Sequence, residues 1–197
     1  MLETNIRMAT SRRERTRRRL QEEAVRLFAS RGYHNVTVEE VAKSAGVSHM
    51  TFFRHFPTKA SVLVDDPYDP IIGEMVAGTD PSLPPLERVR IGLTRSWSSV
   101  DEPDDELIRA RFRILTENED IVAHAWSNNQ RTEQVIIDAL VSSGVPRLDA
   151  RVAAGAVIGA LTAALLDWAE SDDSGTLGDR VRETLQLLAP HGEGDGT

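Results

Sequence analysis

Hydrogen-bonding and basic side chains recur between residues 37 and 59 at spacings that predict two short helices joined by a tight turn. Thr37, followed three residues later by Glu40, has the spacing of a capping box, which predicts the start of the first helix. Gly46 is placed to reverse the chain because glycine adopts a positive φ at little cost, and Ser48 offers a second N-cap. A helix, a glycine turn and a second helix with polar residues on its outer side form a shape that a DNA major groove accepts.

The second predicted helix runs from His49 to Phe56 and has a distinct inner side. Phe52 and Phe56 are four residues apart, so they lie on the same face, and we interpret both as core residues. Pro57 ends this helix because proline lacks a backbone donor. The polar residues of the helix are therefore left on its outer face.

Residues 34–59, HNVTVEEVAKSAGVSHMTFFRHFPTK, resemble the DNA-binding helix-turn-helix of the TetR family of bacterial transcriptional regulators. The shared features are a Thr-x-x-x-x-Ala-x-x-Ala-Gly-Val-Ser frame, a Thr-Phe-Phe-x-x-Phe core and the following Pro-x-Lys. With the amphipathic helix that precedes it, the resemblance covers roughly the first 60 residues. Beyond residue 65 it is architectural, and it implies a helical body that binds an effector and forms a dimer.

The resemblance also implies roles for single side chains of the second helix, which would be the recognition helix. Base edges would be reached from the start and outer face of this helix, by Ser48, His49, Met50 and Thr51. Phe53 stands where the family frequently has a tyrosine whose hydroxyl meets a phosphate, so its contact would be van der Waals only. Phosphate contacts are implied for Thr37, Arg54, His55 and Lys59. His55 has an alternative reading as an ordinary surface histidine.

Charge is divided unevenly along the chain. The net charge is −8, but residues 1–60 hold 12 Lys and Arg against six Asp and Glu, whereas residues 61–197 hold 11 against 25. Arg12, Arg13 and Arg17 lie at the start of the first predicted helix, where positive charge opposes the helix dipole. A nearby anion would relieve that cost, and we assign these three arginines to DNA phosphates. The alternatives are an ordinary solvated N-terminal tail and a chance asymmetry of charge.

The residues that most enzymes depend on do not form a recognisable set in this sequence. It has no cysteine, its histidines at 34, 49, 55, 124 and 191 are scattered, and it carries no phosphate-binding glycine loop or nucleophile motif. We therefore predict no catalytic residue, no metal site and no cofactor. The longest uncharged run, residues 152–166, is shorter than the roughly 18–20 residues that span a bilayer, and no secretory signal is apparent, which predicts a cytoplasmic protein without a membrane partner.

Helical periodicity and the absence of strand alternation predict an all-α fold, with an N-terminal three-helix helix-turn-helix domain followed by a helical ligand-binding and dimerisation domain. A proline-rich segment at residues 65–70 interrupts the helix that follows the first domain. The predicted organisation is a disordered arm (1–11), a DNA-binding domain (12–60), a linker helix and loop (61–85), an effector-binding and dimerisation domain (86–190) and a disordered tail (191–197).

The predicted body has two features that could serve function. Large apolar side chains on its middle helices could line an effector pocket or fill the core: Trp97, Phe112, Leu115 and Trp126. The small residues of 148–170 and the leucines of 176–189 predict a homodimer through the last two helices, unless the apolar helix is only the core of the body. A two-fold dimer would read a near-palindromic operator.

Together these features predict a ligand-responsive transcriptional repressor that binds double-stranded DNA as a homodimer and is released by an unknown small-molecule effector. The alternative is a helical sensor protein whose basic head contacts another protein.

Overall fold

The computed structural model describes residues 12–65, 69–99, 104–171 and 175–190. Within these ranges the chain forms α-helices, one short 3-10 helix and no strand, which confirms the predicted all-α class. The arm 1–11 and the tail 191–197 lie outside the described residues. The helices are α1 (Arg12–Arg31), α2 (Val38–Ser44), α3 (His49–His55), α4 (Ser61–Val64), α5 (Asp69–Ala77), α6 (Pro85–Ser98), α7 (Asp105–Thr116), α8 (Glu119–Ser142), α9 (Arg147–Glu170) and α10 (Leu177–Leu187), with the 3-10 helix at Tyr33–Asn35.

The chain divides into two compact units, Met1–Leu63 and Val64–Thr197, which we call the head and the body. The head contains α1, α2 and α3, and the body contains α5 to α10. The segment that follows the head is helical in two pieces, α4 and α5, as the prolines of residues 65–70 predict. The domain and linker limits assigned from the sequence stay predictions.

The core of the head is built on one face of α1. Leu20, Ala24 and Phe28 recur every fourth residue, and each is at most 1% exposed. Phe52 and Phe56 are fully buried as well, which agrees with their interpretation as core residues. α1 therefore provides the surface on which the two short helices fold.

The core of the body is centred on α9, which packs against α6, α7, α8 and α10. Small side chains of α9, including Ala150, Ala153 and Val157, are buried and allow these helices to approach closely. Trp168 near the end of α9 is fully buried, and its indole N–H donates to the carbonyl of Gly175 at 2.8 Å. A buried indole needs such an acceptor, so this bond fixes the turn between α9 and α10.

α7 is tied to the same turn by two side chains. Arg109 donates to the carbonyls of Ser171 at 2.8 Å and Gly175 at 3.3 Å, and its guanidinium lies 4.0 Å from the centre of the Trp168 ring. Asp105 accepts from the amide of Leu177 at 3.1 Å, at the start of α10. These bonds satisfy backbone groups that the ends of two helices leave without partners.

α9 has the length and apolar composition of a helix that could cross a membrane, with a mean hydropathy of 1.7 over 18 residues, and it is the one such helix in the described part of the chain. The core helix of a soluble protein meets the same test, and 33% of that window is buried inside this chain.

Candidate nucleic-acid interface

The two short helices of the head begin with the caps that the sequence predicts. The hydroxyl of Thr37 accepts from the amide of Glu40 at 3.2 Å, and the Glu40 carboxylate accepts from the amide of Thr37 at 2.8 Å. These two bonds form the predicted capping box at the start of α2. The Ser48 hydroxyl accepts from the amide of Thr51 at 3.2 Å and starts α3 in the same way.

The turn between α2 and α3 depends on Gly46, whose φ is +67°. Side chains rarely adopt this backbone conformation, so glycine is the residue that closes the turn at least cost. Because the turn is tight and Phe52 is fully buried against the head core, the orientation of α3 is fixed.

Fixing α3 in this way leaves its opposite face in solvent. Met50 is 71% exposed and Phe53 is 40% exposed, although both are large and apolar. An exposed apolar pair on a short helix suits contact with thymine methyl groups or the edges of sugars, in addition to protein surfaces. These two residues lie on the outer face, as the sequence predicts.

The polar residues on this face are already oriented by one another. The hydroxyls of Ser48 and Thr51 are 2.9 Å apart, and Arg54 donates to the Thr51 hydroxyl at 2.9 Å. His49 lies 3.1 Å from a carboxylate oxygen of Glu39, and its ring packs edge-on against Phe53 at 4.7 Å between centroids. Orientation by neighbours lowers the entropy that these side chains would lose on binding.

Thr37 retains one route to a phosphate. Its amide donates to the Glu40 carboxylate, so the predicted contact through that amide would compete with the capping box. Its hydroxyl accepts from the Glu40 amide and still has a proton to donate. The structure therefore favours the hydroxyl over the amide as the donor to a phosphate.

Two basic residues that the sequence assigns to phosphates also have partners inside the head. Arg17 donates to the carbonyl of His55 at 3.2 Å, and its guanidinium lies 4.5 Å from the centre of the Phe56 ring. The Lys59 ammonium donates to the carbonyl of Tyr33 and lies 4.1 Å from the centre of that ring. Both side chains hold the head together, so a phosphate contact by either one would be an additional role.

His55 reports a positive potential at the end of α3. Burial lowers its pKa first, and the charges of Arg13, Arg17 and Arg54 lower it further. An imidazole among three guanidinium groups is held in its neutral form, because a fourth positive charge would be repelled. The same repulsion marks this corner of the head as a place that would attract an anion.

A second basic region lies between α1 and the helix turn. A cleft of about 380 Å³ is lined there by Arg12, Arg15, Thr16, Arg19, Ala45, Gly46 and Val47. Arg12 is among the residues assigned from the sequence, whereas Arg15 and Arg19 were not singled out. The spacing from Arg12 to Arg15 to Arg19, three and then four residues, places these side chains on one side of α1 and could have identified them.

The body residues proposed for an effector pocket fall into two groups. Trp97 and Phe112 are partly buried and pack against the body core, and Leu115 is half-buried. Trp126 is 66% exposed, so in the single chain it lies on the surface of α8. The four side chains therefore do not all face the interior of one chain. Among the described residues, no cluster of three or more His, Cys, Asp or Glu could hold a metal ion.

Comparison with known proteins places both parts of the chain in the same family. Residues 20–65 match the model described as bacterial regulatory proteins of the tetR family, and residues 83–192 match the model of the MftR C-terminal domain. The HTH-type transcriptional regulator TcmR of Streptomyces glaucescens is 28% identical over 127 residues, which cover 60% of this chain and 56% of that protein. The match thus spans little more than half the length of that relative.

Solved structures share the fold at low sequence identity. FadR of Thermus thermophilus, a TetR-family transcriptional repressor solved in complex with lauroyl-CoA, has a TM-score of 0.50 at 23% identity and is covered over 100% of its length by 92% of this chain. The complex of SmeT with triclosan has a TM-score of 0.54 at 20% identity, with 88% of this chain and 90% of that chain covered. The two family matches and the shared fold confirm the resemblance found in the sequence: the chain belongs to the TetR family of bacterial regulatory proteins.

Proposed function

We propose that this protein is a ligand-responsive transcriptional repressor that binds double-stranded DNA through the outer face of α3 and is released by a small-molecule effector. The observation that carries the proposal is the exposure of Met50 and Phe53 on a helix whose inner face is anchored by the buried Phe52. A short helix held in this way presents its outer side chains to a major groove as one rigid surface. Binding to the bacterial chromosome would place the protein in the cytoplasm.

Phosphate contacts would supply most of the affinity of this head for DNA. Arg54 is exposed and is oriented by its bond to Thr51, and Arg12 and Arg13 are exposed at the start of α1. Each phosphate that such a side chain neutralises releases counterions from DNA, so affinity falls steeply as salt rises. Ser48, His49, Met50 and Thr51 would read base edges, while Phe53 would make van der Waals contacts.

The experiment is a mobility-shift titration of the full chain on duplex DNA from its own promoter region, at several salt concentrations. Arg54→Ala should weaken binding and reduce the slope of log K against log salt by about 0.9, the value of one phosphate contact. Arg26→Ala is the matched control, because Arg26 is exposed on α1 and pairs with Glu23 at 3.1 Å in the same unit. Failure to bind any duplex at low salt would overturn the proposal in favour of a head that contacts another protein.

A homodimer through α9 and α10 would bring two heads to one operator. Val152 is 63% exposed, and Ala156, Gly159 and Ala163 are exposed at alternating spacings of four and three residues along the same side of α9. A Cβ built on Gly159 meets no atom within 4 Å in the single chain. This side is therefore open and flat enough for close approach by a second copy, which would set two α3 helices to match grooves roughly 34–36 Å apart.

Size-exclusion chromatography with light scattering tests the dimer directly. Gly159→Arg should convert the dimer to a monomer without loss of helical circular dichroism, because the new side chain has open space in one chain but not between two. A wild-type protein that stays monomeric at every concentration tested would contradict the dimer while leaving the DNA-binding proposal to its own test.

The effector would act by preferring one conformation of the body. FadR and SmeT were solved with bound small molecules, which supports ligand binding by a body of this fold. Trp97, Phe112 and Leu115 remain the apolar candidates for contact with it. A ligand that prefers the released state would lower DNA affinity by a coupling free energy of typically ~1–3 kcal/mol.

A further inference from the structure

A carboxylate, a hydroxyl and a carboxamide are buried together between α5 and α8 of the body. Asp69, Asn128 and Thr132 are 9%, 9% and 8% exposed. The Thr132 hydroxyl donates to a carboxylate oxygen of Asp69 at 2.7 Å, and it also lies 3.4 Å from the backbone carbonyl of Asn128. A hydroxyl has a single proton, so the shorter bond to the carboxylate is the one it makes. Asn128 lies one turn before Thr132 on the same side of α8.

The charge of Asp69 is not matched by a cation in this part of the structure. Within the described residues no basic side chain forms an ion pair with it, and the nearby Arg131 of α8 is directed to Asp65 at 3.7 Å. The first turn of α5 and the Thr132 hydroxyl supply only dipoles. A buried carboxylate with dipoles alone is costly compared with one that also meets a positive charge.

Asn128 lacks a partner of the same kind. Its side-chain oxygen is enclosed by the protein and has no hydrogen-bond donor. Nearly all buried polar atoms in folded proteins are satisfied, so an orphaned acceptor indicates a donor that binds from outside the chain. Asp69 and Asn128 therefore require the same complement, a group that donates hydrogen bonds and carries positive charge.

The surroundings define the rest of such a ligand. Ile72 follows Asp69 by three residues on α5, Ile136 follows Thr132 by four on α8, and both are buried. The polar cluster therefore continues into an apolar region along the two helices. A molecule with an ammonium head and a hydrocarbon body would satisfy both.

We propose that Asp69 and Asn128 bind the protonated amine of the effector, which makes the effector class an amphiphilic organic cation. This inference rests on the proposed ligand response and specifies its chemistry. Thr132 orients the carboxylate through its 2.7 Å bond, and the ammonium supplies the donor that Asn128 lacks.

Three probes of one shape test the proposal on the full chain by calorimetry and thermal shift at neutral pH: 4-phenylbutylamine, 4-phenylbutanol and 4-phenylbutyrate. The amine should bind at least about tenfold more tightly than the acid, as expected for a charge-assisted contact. Asp69→Asn keeps the acceptor for Thr132 and should abolish this preference. Asp138→Asn is the matched control, because Asp138 is exposed on α8 and accepts only from Gln134, so the preference should persist.

Asn128→Leu provides a second variant, which should weaken the amine and leave the acid unchanged. The proposal is overturned if none of the three probes binds, if the acid binds as well as the amine, or if Asp69→Asn retains the preference. Promoter binding measured on the same samples separates the two claims, since intact DNA binding without amine preference contradicts this inference alone. Loss of DNA binding by the wild-type chain would instead contradict the proposed function.

Discussion

Gly92→Ala tests the packing on which the body depends, because α5 and α6 approach each other most closely at this residue among the glycines described. A Cβ at Gly92 would lie 2.5 Å from Cγ2 of Val76, 2.8 Å from its Cα and 2.9 Å from its backbone N. The last two atoms belong to the main chain of α5, which no side-chain rotation can move. The helices must therefore separate by about 0.5 Å to restore an ordinary contact, within a core that tolerates little strain.

The magnitude follows from two opposing effects. Overpacking a core of this kind costs about 1–3 kcal/mol, and more where a backbone must shift. Replacing a helical glycine with alanine returns up to about 1 kcal/mol of helix propensity. We expect Gly92→Ala to lower the free energy of unfolding of the body by about 1–3 kcal/mol, because the steric effect is the larger.

Gly73→Ala is the matched control for the source of that effect. Its Cβ would meet only a side-chain atom, Cγ1 of Val135 at 2.8 Å. Val135→Ala should therefore rescue Gly73→Ala, since it removes the obstructing atom. Val76→Ala should leave most of the Gly92→Ala cost in place, because the Val76 main chain remains. This double-mutant comparison isolates main-chain from side-chain overlap.

Urea unfolding followed by tryptophan fluorescence measures all of these variants, because the three tryptophans at 97, 126 and 168 lie in the body. Full recovery of Gly92→Ala by Val76→Ala would refute the assignment to main-chain overlap. Unchanged stability in Gly92→Ala would refute the close approach of α5 and α6 itself.

Three further changes test the caps, the clamp of α7 and the charge of the head. Thr37→Ala should destabilise α2 by about 1 kcal/mol, whereas Thr37→Ser should keep the cap, as read by hydrogen exchange of the α2 amides. Arg109→Met removes the donors to the α9–α10 turn and should lower the stability of the body by about 1–3 kcal/mol in urea unfolding, with Arg109→Lys intermediate because it keeps one charged donor. The lowered pKa of His55 means that the folded head binds fewer protons than the unfolded chain, so its stability should fall as the pH drops below about 6.5. His55→Gln should flatten that dependence when the α3 amides are followed by hydrogen exchange, and an identical slope in both proteins would contradict it.

The head was predictable from sequence because its design is local. The capping box of Thr37 and Glu40, the positive φ of Gly46 and the burial of Phe52 each follow from residues three or four positions apart. Interactions of this range are set by helix geometry alone, so the spacing of residue types is sufficient to place them.

Basic residues were less predictable because their partners are distant in sequence. Arg17 and Lys59 were assigned to phosphates from their charge, yet they donate to carbonyls 38 and 26 residues away. A cation over an aromatic ring can stabilise a fold, and nothing in the spacing of charges reveals which ring it meets. Arg12 and Arg13, which are exposed, are the better candidates for a role in DNA binding alone.

α9 shows why the body could be predicted as a fold but not as a set of surfaces. Apolar residues occupy every side of this helix, so periodicity does not separate a core face from any other. The single chain covers the side of Ala150, Ala153 and Val157, and it leaves Val152 and Gly159 in solvent. An apolar helix in water is stable only when its remaining sides are also covered. The exposed side of α9 therefore argues for a second copy of the chain, and the same reasoning removes Trp126 from the interior of one chain and places it on a surface whose partner has to be found by experiment.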